Sequence, residues 1–376
     1  MLGMHRSGTS ALSGSLSLLG YGLPATLAPA DQSNRQGYFE SKALWDVNDE
    51  LLAKIGSGWN DWTPVDLSTL PASLYQSSLK RATDILRAEY KHCDGPMILK
   101  DPRMCRLMPL WLDALARVGF APHVVHTHRH PLEVAASLHR RDGYDPAFGL
   151  LMWLRHVLDA EHATRKVPRC FTSFDLLMQD RRGTLETIHQ RLDLPLPPSK
   201  VSGETPAEGF LSTELRHFNV TTAAAPAELD LWWQNSYDIL EKWALTGEAS
   251  EDYDRLDEIR SELAALPPQV LALVRSGQLA LIDCMNQAGS LDRTRTELAT
   301  KEAEVLRLRD DIQDRDRSLE TRTQTLDQLR ADNAQLHQNL ARAEADYQTL
   351  LQSSSWRMTA PLRHVVGRLR RDPKSS

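Results

Sequence analysis

The first residues whose types and spacing could do chemistry lie at the very start of the chain. Two glycines with four residues between them are accompanied by three hydroxyl residues: Gly3, Gly8, Ser7, Thr9 and Ser10. The spacing is that of loops that hold nucleoside triphosphates, but Thr9 stands where those loops have the lysine that reaches the β- and γ-phosphates. Arg6 supplies a cation from inside the loop instead. We therefore predict an anion site at the amino end of the helix that follows.

Further cations follow two strand-like runs of the sequence. Lys100 and Arg103, in "LKDPR", come directly after an apolar run, and Arg129 follows the run "HVVHTH". Pro131 is well placed to open the next helix, which carries Ser137 eight residues after Arg129. Arginine offers a planar fork for a phosphate group, so these residues favour a second phosphate site.

Taken in order, "HRSGTSAL", "LKDPR" and "RHPLEVAASL" resemble the sulfotransferases that use 3′-phosphoadenosine 5′-phosphosulfate. The resemblance is closer to the bacterial and protein-tyrosine types, which have arginine in the first loop, than to the cytosolic small-molecule type. The stretches "SNRQGYFES" (33–41), "VNDELLAKIGSGW" (47–59) and "SFDLLMQD" (173–180) agree with it. It covers roughly residues 1–195. It implies a P-loop-like α/β fold, with a doubly wound parallel sheet.

The resemblance also assigns roles to individual residues. Glu40 lies where the tyrosine-type enzymes place a catalytic base, and Lys100 matches a lysine that stabilises the sulfuryl group during transfer. The resemblance implies that Arg6 would contribute to both catalysis and donor binding. The remaining residues that would bind the donor's 5′-phosphosulfate and 3′-phosphate are Ser7, Gly8, Thr9, Ser10, Arg129 and Ser137.

The chemistry of sulfuryl transfer is consistent with these residue types. The group carries less charge than a terminal phosphoryl group, so fixed cations such as Arg6 and Lys100 could stabilise it without a metal. A carboxylate such as Glu40 would take the proton of an acceptor hydroxyl, which we expect on a carbohydrate or glycan precursor. Two other classes stay open: a kinase-like enzyme that uses a nucleoside triphosphate, and a non-catalytic coiled-coil scaffold with a degenerate nucleotide-binding domain.

Several of these residues also have a plain structural interpretation. Glu40 could be an exposed or helix-capping acid, with Asp31 and Asp49 as rival bases, and Lys100 could be a salt-bridge partner at a strand end. Aromatic residues near the motifs could contact ligand or belong to the core: Trp59, Trp62 and Phe174. Four histidines lie on or beside one strand without acidic or cysteine partners at metal-like spacing, so we predict no metal site: His123, His126, His128 and His130.

The elements that must position these residues follow from periodicity. The runs "MILK" (97–100), "HVVHTHR" (123–129) and "RCFTSF" (169–174) predict strands, each followed by a helical segment, as in a parallel sheet covered on both faces. We predict a sulfotransferase domain over 1–245, a helical connector over 246–290, a coiled coil over 291–352 and a basic tail over 353–376. Only Met1 and Leu2 precede Gly3, so we expect the first strand to be truncated, or the true start to lie upstream.

The chain's composition limits the classes of protein to which it could belong. A net charge of −6 over 376 residues argues against nucleic-acid binding by net charge.

The carboxyl-terminal part of the sequence has its own patterns. Residues 291–352 have an apolar residue every seventh position, interrupted by Asn333, which predicts a coiled coil and a homodimer. Six cations and the residues Leu362, Val365, Val366 and Leu369 make the tail either a membrane-surface helix or a disordered basic terminus. We expect a cytoplasmic protein, peripheral on the inner membrane face if the tail binds lipid.

Overall fold

The structure is a computed structural model that describes residues 1–29, 37–194 and 227–370. Asp31, one of the rival bases, lies outside the described residues, as do the last six residues of the tail. The chain divides into two compact units, Met1–Gln287 and Ala288–Ser376.

A small parallel sheet organises the first unit. Strand β1 (Val124–His128) pairs in parallel with β2 (Arg169–Ser173), with Val124 opposite Arg169. On the other edge of β1, Leu2 forms a parallel bridge with His126; the Leu2 amide donates to Val125 O at 2.9 Å. The predicted α/β class is therefore confirmed at the coarse level.

The predicted strand over 97–100 is wrong as a continuous element. Met97 forms only an isolated bridge with Gly22, and the Ile98 amide donates to the Gly22 carbonyl at 2.8 Å. Leu99 accepts a bond from the amino group of Met1 at 2.8 Å. Gly22 meets Met97 and Ile98, whereas Met1 meets Leu99, so no continuous ladder forms along this run. The described sheet has two strands with bridges beside them.

Helices cover the sheet. In the first unit they are α1 (Thr9–Leu18), α2 (Lys42–Lys54), α3 (Ala72–Tyr90), α4 (Met104–Val118), α5 (Pro131–Asp142), α6 (Pro146–Ala163), α7 (Phe174–Gln179), α8 (Arg181–Arg191), α9 (Ala227–Thr246) and α10 (Tyr253–Ala264). Pro131 occupies the first turn of α5, as its sequence predicts. Ser41 caps α2 by accepting the Leu44 amide at 3.4 Å. Helices α4 and α6 bury Trp111 and Trp153 completely, so the elements that follow the motifs are held by the core.

The long helix α11 spans Pro268–Gln352. Two short helices follow it, α12 (Ser354–Met358) and α13 (Ala360–Arg370). Most apolar residues of the heptad positions are more than half exposed along the second unit, among them Leu298, Ile312, Leu326 and Leu340. No helix among the described residues is long and apolar enough to cross a bilayer.

Candidate active site

The glycine loop starts directly at the edge of β1. The Thr127 amide donates to the Leu2 carbonyl at 2.9 Å, which places Gly3 against the strand. A Cβ on Gly3 would lie 2.4 Å from the Thr127 carbonyl oxygen, so only glycine fits this close approach. The loop is therefore anchored where β1 ends and α5 is about to begin.

The loop then turns through two left-handed residues. Arg6 has a φ of 70° and Gly8 a φ of 82°. A non-glycine residue such as Arg6 rarely adopts this conformation, and such residues are found where the surroundings impose it, often at functional sites. Gly8 caps α1, whose first bond runs from the Leu12 amide to the Gly8 carbonyl at 3.0 Å. The result is a concave backbone ahead of a helix amino end, the geometry of an anion site.

Gly8→Ala is expected to destabilise the protein strongly, because a Cβ there would lie 2.5 Å from the Phe174 ring in addition to the unfavourable φ. Gly20→Ala is the matched control, since Gly20 also has a positive φ but has open space around it. Chemical denaturation should show that Gly8→Ala lowers the free energy of unfolding by about 1–3 kcal/mol more than Gly20→Ala does. Equal losses of unfolding free energy in the two variants would contradict the tight contact between the loop and Phe174.

Two arginines lie close to each other at this loop: Arg6, which belongs to it, and Arg129, which follows β1. Arg6 Nε donates to Ser137 Oγ at 2.8 Å, joining the loop to α5. Arg129 pairs with Glu133, Nε to Oε2 at 2.6 Å, and its guanidinium lies 4.7 Å from the centre of the Phe174 ring. Burial, and then the nearby guanidinium groups of Arg141 and Arg129, lower the pKa of Arg6. An excess of positive charge thus surrounds the loop.

Some polar atoms of the loop region are buried and unsatisfied. Among the described residues, Ser7 Oγ and Arg129 Nη2 have no hydrogen-bond partner, although Ser7 is fully buried and Arg129 is 7% exposed. A buried donor without a partner is costly, and an oxyanion bound at the loop would supply acceptors. The donor set fits a phosphate or sulfate ester.

Lys100 connects the loop to the segment before α2. Its ammonium donates to Ser10 Oγ at 3.0 Å, to the Tyr38 carbonyl at 2.8 Å and to Glu40. The Lys100 and Glu40 side chains are 2% and 3% exposed. The pair is therefore a buried ion pair whose cation also touches the hydroxyl at the start of α1.

Glu40 is neither exposed nor the cap of α2, because Ser41 performs the capping. Both of its carboxylate oxygens accept bonds, one from Lys100 and the other from the Trp45 indole. Burial raises the pKa of Glu40, and the Lys100 charge opposes that rise. The rival Asp49 is half exposed and pairs with Arg103 at 2.5 Å. Among the described acids, Glu40 is thus the one beside both the loop and Lys100.

A second network supports this cluster. Asp101 is completely buried; its Oδ2 accepts from Asn48 Nδ2 at 2.8 Å and its Oδ1 from the Arg103 amide at 3.0 Å. Asn48 in turn accepts from the Trp111 indole at 2.8 Å. Neither Asn48 nor Trp45 was predicted from the sequence to have a role at the site. Both lie on α2, Trp45 about one turn and Asn48 about two turns beyond Glu40. This helical spacing, which places them on the side of α2 near Glu40, was the signal that the sequence offered.

The two tryptophans of the 59–62 segment have different environments. Trp62 is 1% exposed and belongs to the core. Trp59 is half buried and packs on His5 of the loop, with 4.6 Å between ring centres, and the Arg141 guanidinium lies 5.3 Å from the centre of the Trp59 ring. Burial, followed by the Arg103 and Arg141 charges, holds the pKa of His5 well below its usual range. The loop therefore carries a neutral imidazole, and the Trp59 indole packs on it.

The histidines of β1 contact side chains of neighbouring elements. His126 stacks on Phe171, with 4.6 Å between ring centres, and its Nε2 lies 2.8 Å from Thr164 Oγ1. His128 Nε2 lies 3.2 Å from Glu241 Oε1. Within the described ranges, no group of three or more His, Cys, Asp or Glu side chains has metal-binding geometry.

One sizeable cavity among the described residues lies away from this cluster. It has a volume of about 410 Å³ and lies at the amino end of β1, with a mostly apolar lining that includes Leu86, Tyr90, Met97, Phe120 and Val124. Ligands of α/β sheets bind at the carboxyl ends of strands, where Arg129 stands. We assign the candidate site by its charged and hydroxyl side chains, and not by cavity size.

Comparison with known proteins finds little at the sequence level. No protein-family model matches the chain, and no curated protein matches it. Two solved structures are similar to it: a sulfotransferase domain from the Synechococcus PCC 7002 olefin synthase and one from the curacin biosynthetic pathway. The first has 16% identity over 63% of this chain and 92% of that domain, with a TM-score of 0.37. The second has 13% identity over 69% and 95%, with a TM-score of 0.34. Both likenesses are slight, so a functional assignment depends on the side chains of the site.

Proposed function

We propose that the chain is a sulfotransferase that moves a sulfuryl group from 3′-phosphoadenosine 5′-phosphosulfate to a hydroxyl acceptor. The observation that carries this proposal is the meeting of Lys100 and Glu40 with Ser10 at the start of α1. A cation for the transferred group and a buried carboxylate for the acceptor proton thus lie at one anion-binding loop.

In the proposed reaction the acceptor oxygen attacks sulfur in line with the bridging oxygen of the donor. The bond from sulfur to that oxygen breaks, the acceptor proton passes to Glu40, and adenosine 3′,5′-bisphosphate leaves. Arg6, Ser7, Gly8, Thr9 and Ser10 would hold the 5′-phosphosulfate, and Lys100 would stabilise the charge on its non-bridging oxygens. Arg129 and Ser137 would hold the 3′-phosphate, which would also supply an acceptor to the unsatisfied Arg129 Nη2.

Arg129→Ala is expected to weaken binding of adenosine 3′,5′-bisphosphate by at least about tenfold, because it removes a charge-assisted, bidentate donor. Arg6→Ala should do the same. Isothermal titration calorimetry measures both, with the exposed Arg182→Ala as the control of equal charge change. Normal affinity in both site variants would overturn the donor assignment.

The same calorimetry distinguishes a sulfotransferase from the kinase-like alternative. Binding of ATP in preference to the 3′-phosphorylated nucleotide, strengthened by Mg²⁺, would support an enzyme that uses nucleoside triphosphates.

The acceptor we propose is a saccharide hydroxyl. A half-buried indole, Trp59, lies beside the loop, where a sugar face could pack on it. Turnover assays with a panel of glycan and phenolic acceptors test this choice; transfer only to phenols would overturn it.

We also propose that the long helix pairs with the same helix of a second copy of this chain. The heptad residues of 291–352 are exposed in one chain, including Leu319 at 59% and Leu336 at 66%. A helix with so narrow an apolar seam is marginal alone, and burying that seam against a partner helix stabilises it.

A further inference from the structure

The last two helices, α12 and α13, carry an arrangement that the proposed reaction does not use. Residues 353–370, which comprise α12, α13 and the residues beside them, contain four arginines and no acidic residue, in a chain whose net charge is −6. We propose that this segment is a docking surface for an anionic lipid bilayer.

Apolar side chains are presented outward here. Leu362, Val365 and Val366 of α13 are 66%, 59% and 49% exposed, and Met358 at the end of α12 is 81% exposed. The spacing of three and four residues places Leu362, Val365 and Val366 on one face of a helix. An exposed apolar face on a short helix suits the boundary between lipid headgroups and acyl chains.

The two helices are held together by side-chain contacts. Ser353 caps α12 by accepting the Trp356 amide at 3.2 Å. Arg363 on α13 reaches back: its guanidinium lies 3.5 Å from the centre of the Trp356 ring, and its Nη2 donates to the Trp356 carbonyl at 2.5 Å. Tryptophan and arginine thus meet at the joint, and indoles are favoured at the level of lipid headgroups.

The combination of cationic side chains with an exposed apolar helix face favours a membrane over a nucleic acid as the partner. Phosphates of DNA or RNA are held by cations alone and do not need an apolar helix face. An anionic bilayer attracts the cations and also accepts Leu362, Val365 and Val366 below its headgroups. With a helix too short to span, the contact is peripheral and sensitive to salt.

The test is co-sedimentation of the full chain with vesicles of phosphatidylcholine alone or mixed with phosphatidylglycerol. Binding is expected only to the mixed vesicles, and to fall as salt rises. Arg357→Gln/Arg368→Gln should weaken it by about 25-fold, at about fivefold for each cation removed near the surface. Leu362→Gln/Val366→Gln should weaken it as well, because the apolar face is lost. Arg307→Gln/Arg342→Gln, two exposed arginines of α11, is the control with equal charge change and should bind as the wild type does.

Three outcomes would overturn the proposal. They are the absence of wild-type binding to mixed vesicles, equal weakening by the α11 control, and unchanged binding by both tail variants. Retention of the chain on immobilised double-stranded DNA, together with no vesicle binding, would instead identify a nucleic-acid surface. Circular dichroism of each variant excludes loss of the helices as the cause.

Discussion

Glu40→Gln is expected to reduce kcat for sulfuryl transfer by about 10²–10⁴-fold, because glutamine keeps the shape of the side chain but cannot take the acceptor proton. Binding of adenosine 3′,5′-bisphosphate should persist, since Glu40 is not assigned to the donor. Asp49→Asn makes the same change of carboxylate to amide on a half-exposed acid and should retain most activity. Loss of transfer in Asp49→Asn but not in Glu40→Gln would reverse the assignment of the base.

The pH dependence gives an independent measure of the same group. Burial raises the pKa of Glu40, so its basic form is populated only at a pH above the range of an ordinary glutamate. The rate of transfer should therefore rise with pH, with the acidic limb displaced upward from that ordinary range. If this acidic limb is absent, the rate does not depend on the charge of Glu40, which contradicts its assignment as the base.

Glu40→Gln also leaves Lys100 as a buried cation without its anion, which costs about 3–5 kcal/mol for a fully buried pair. Donor-binding calorimetry therefore accompanies the kinetics, to show that the variant is folded. A Glu40→Gln/Lys100→Ala double variant that supports normal cellular function would favour the scaffold alternative, in which the coiled coil is the working part.

Leu329→Asp/Leu336→Asp is expected to convert the protein from dimer to monomer, because it places charges in the seam that two long helices would bury. Both leucines are exposed in the single chain, at 58% and 66%. Light scattering after gel filtration should report twice the 42.4 kDa chain mass for the wild type and the chain mass for this variant. The reduction in association should exceed about 100-fold, the effect of two unpaired charges in a hydrophobic interface.

Ala331→Asp/Ala345→Asp is the matched control for this experiment. Both alanines are exposed on α11 and lie outside the apolar heptad positions, so the same added charge should leave the dimer intact. A wild-type mass of 42.4 kDa, or equal dissociation of the control, would contradict pairing through the seam.

Local features of the chain were predictable from its sequence. Four such features depend on residues adjacent in the chain: the glycine loop followed by α1, the strand β1 that ends just before Arg129, the proline that opens α5, and the long helix. Backbone conformation, capping and periodicity act over a few residues, so the sequence shows them directly. The run 97–100 was predicted as a strand from the same signals and is not one, because a strand also needs a continuous partner.

Only the tertiary structure decided which of the distant side chains meet. Lys100 and Glu40 are sixty positions apart, and Arg6 and Ser137 more than twice that, yet each pair is in direct contact. The alternatives for Glu40, a surface or capping acid, disappeared once α2 and the loop buried it beside Trp45. Burial and charge pairing are properties of the packed chain, and no pattern of neighbouring residues specifies them.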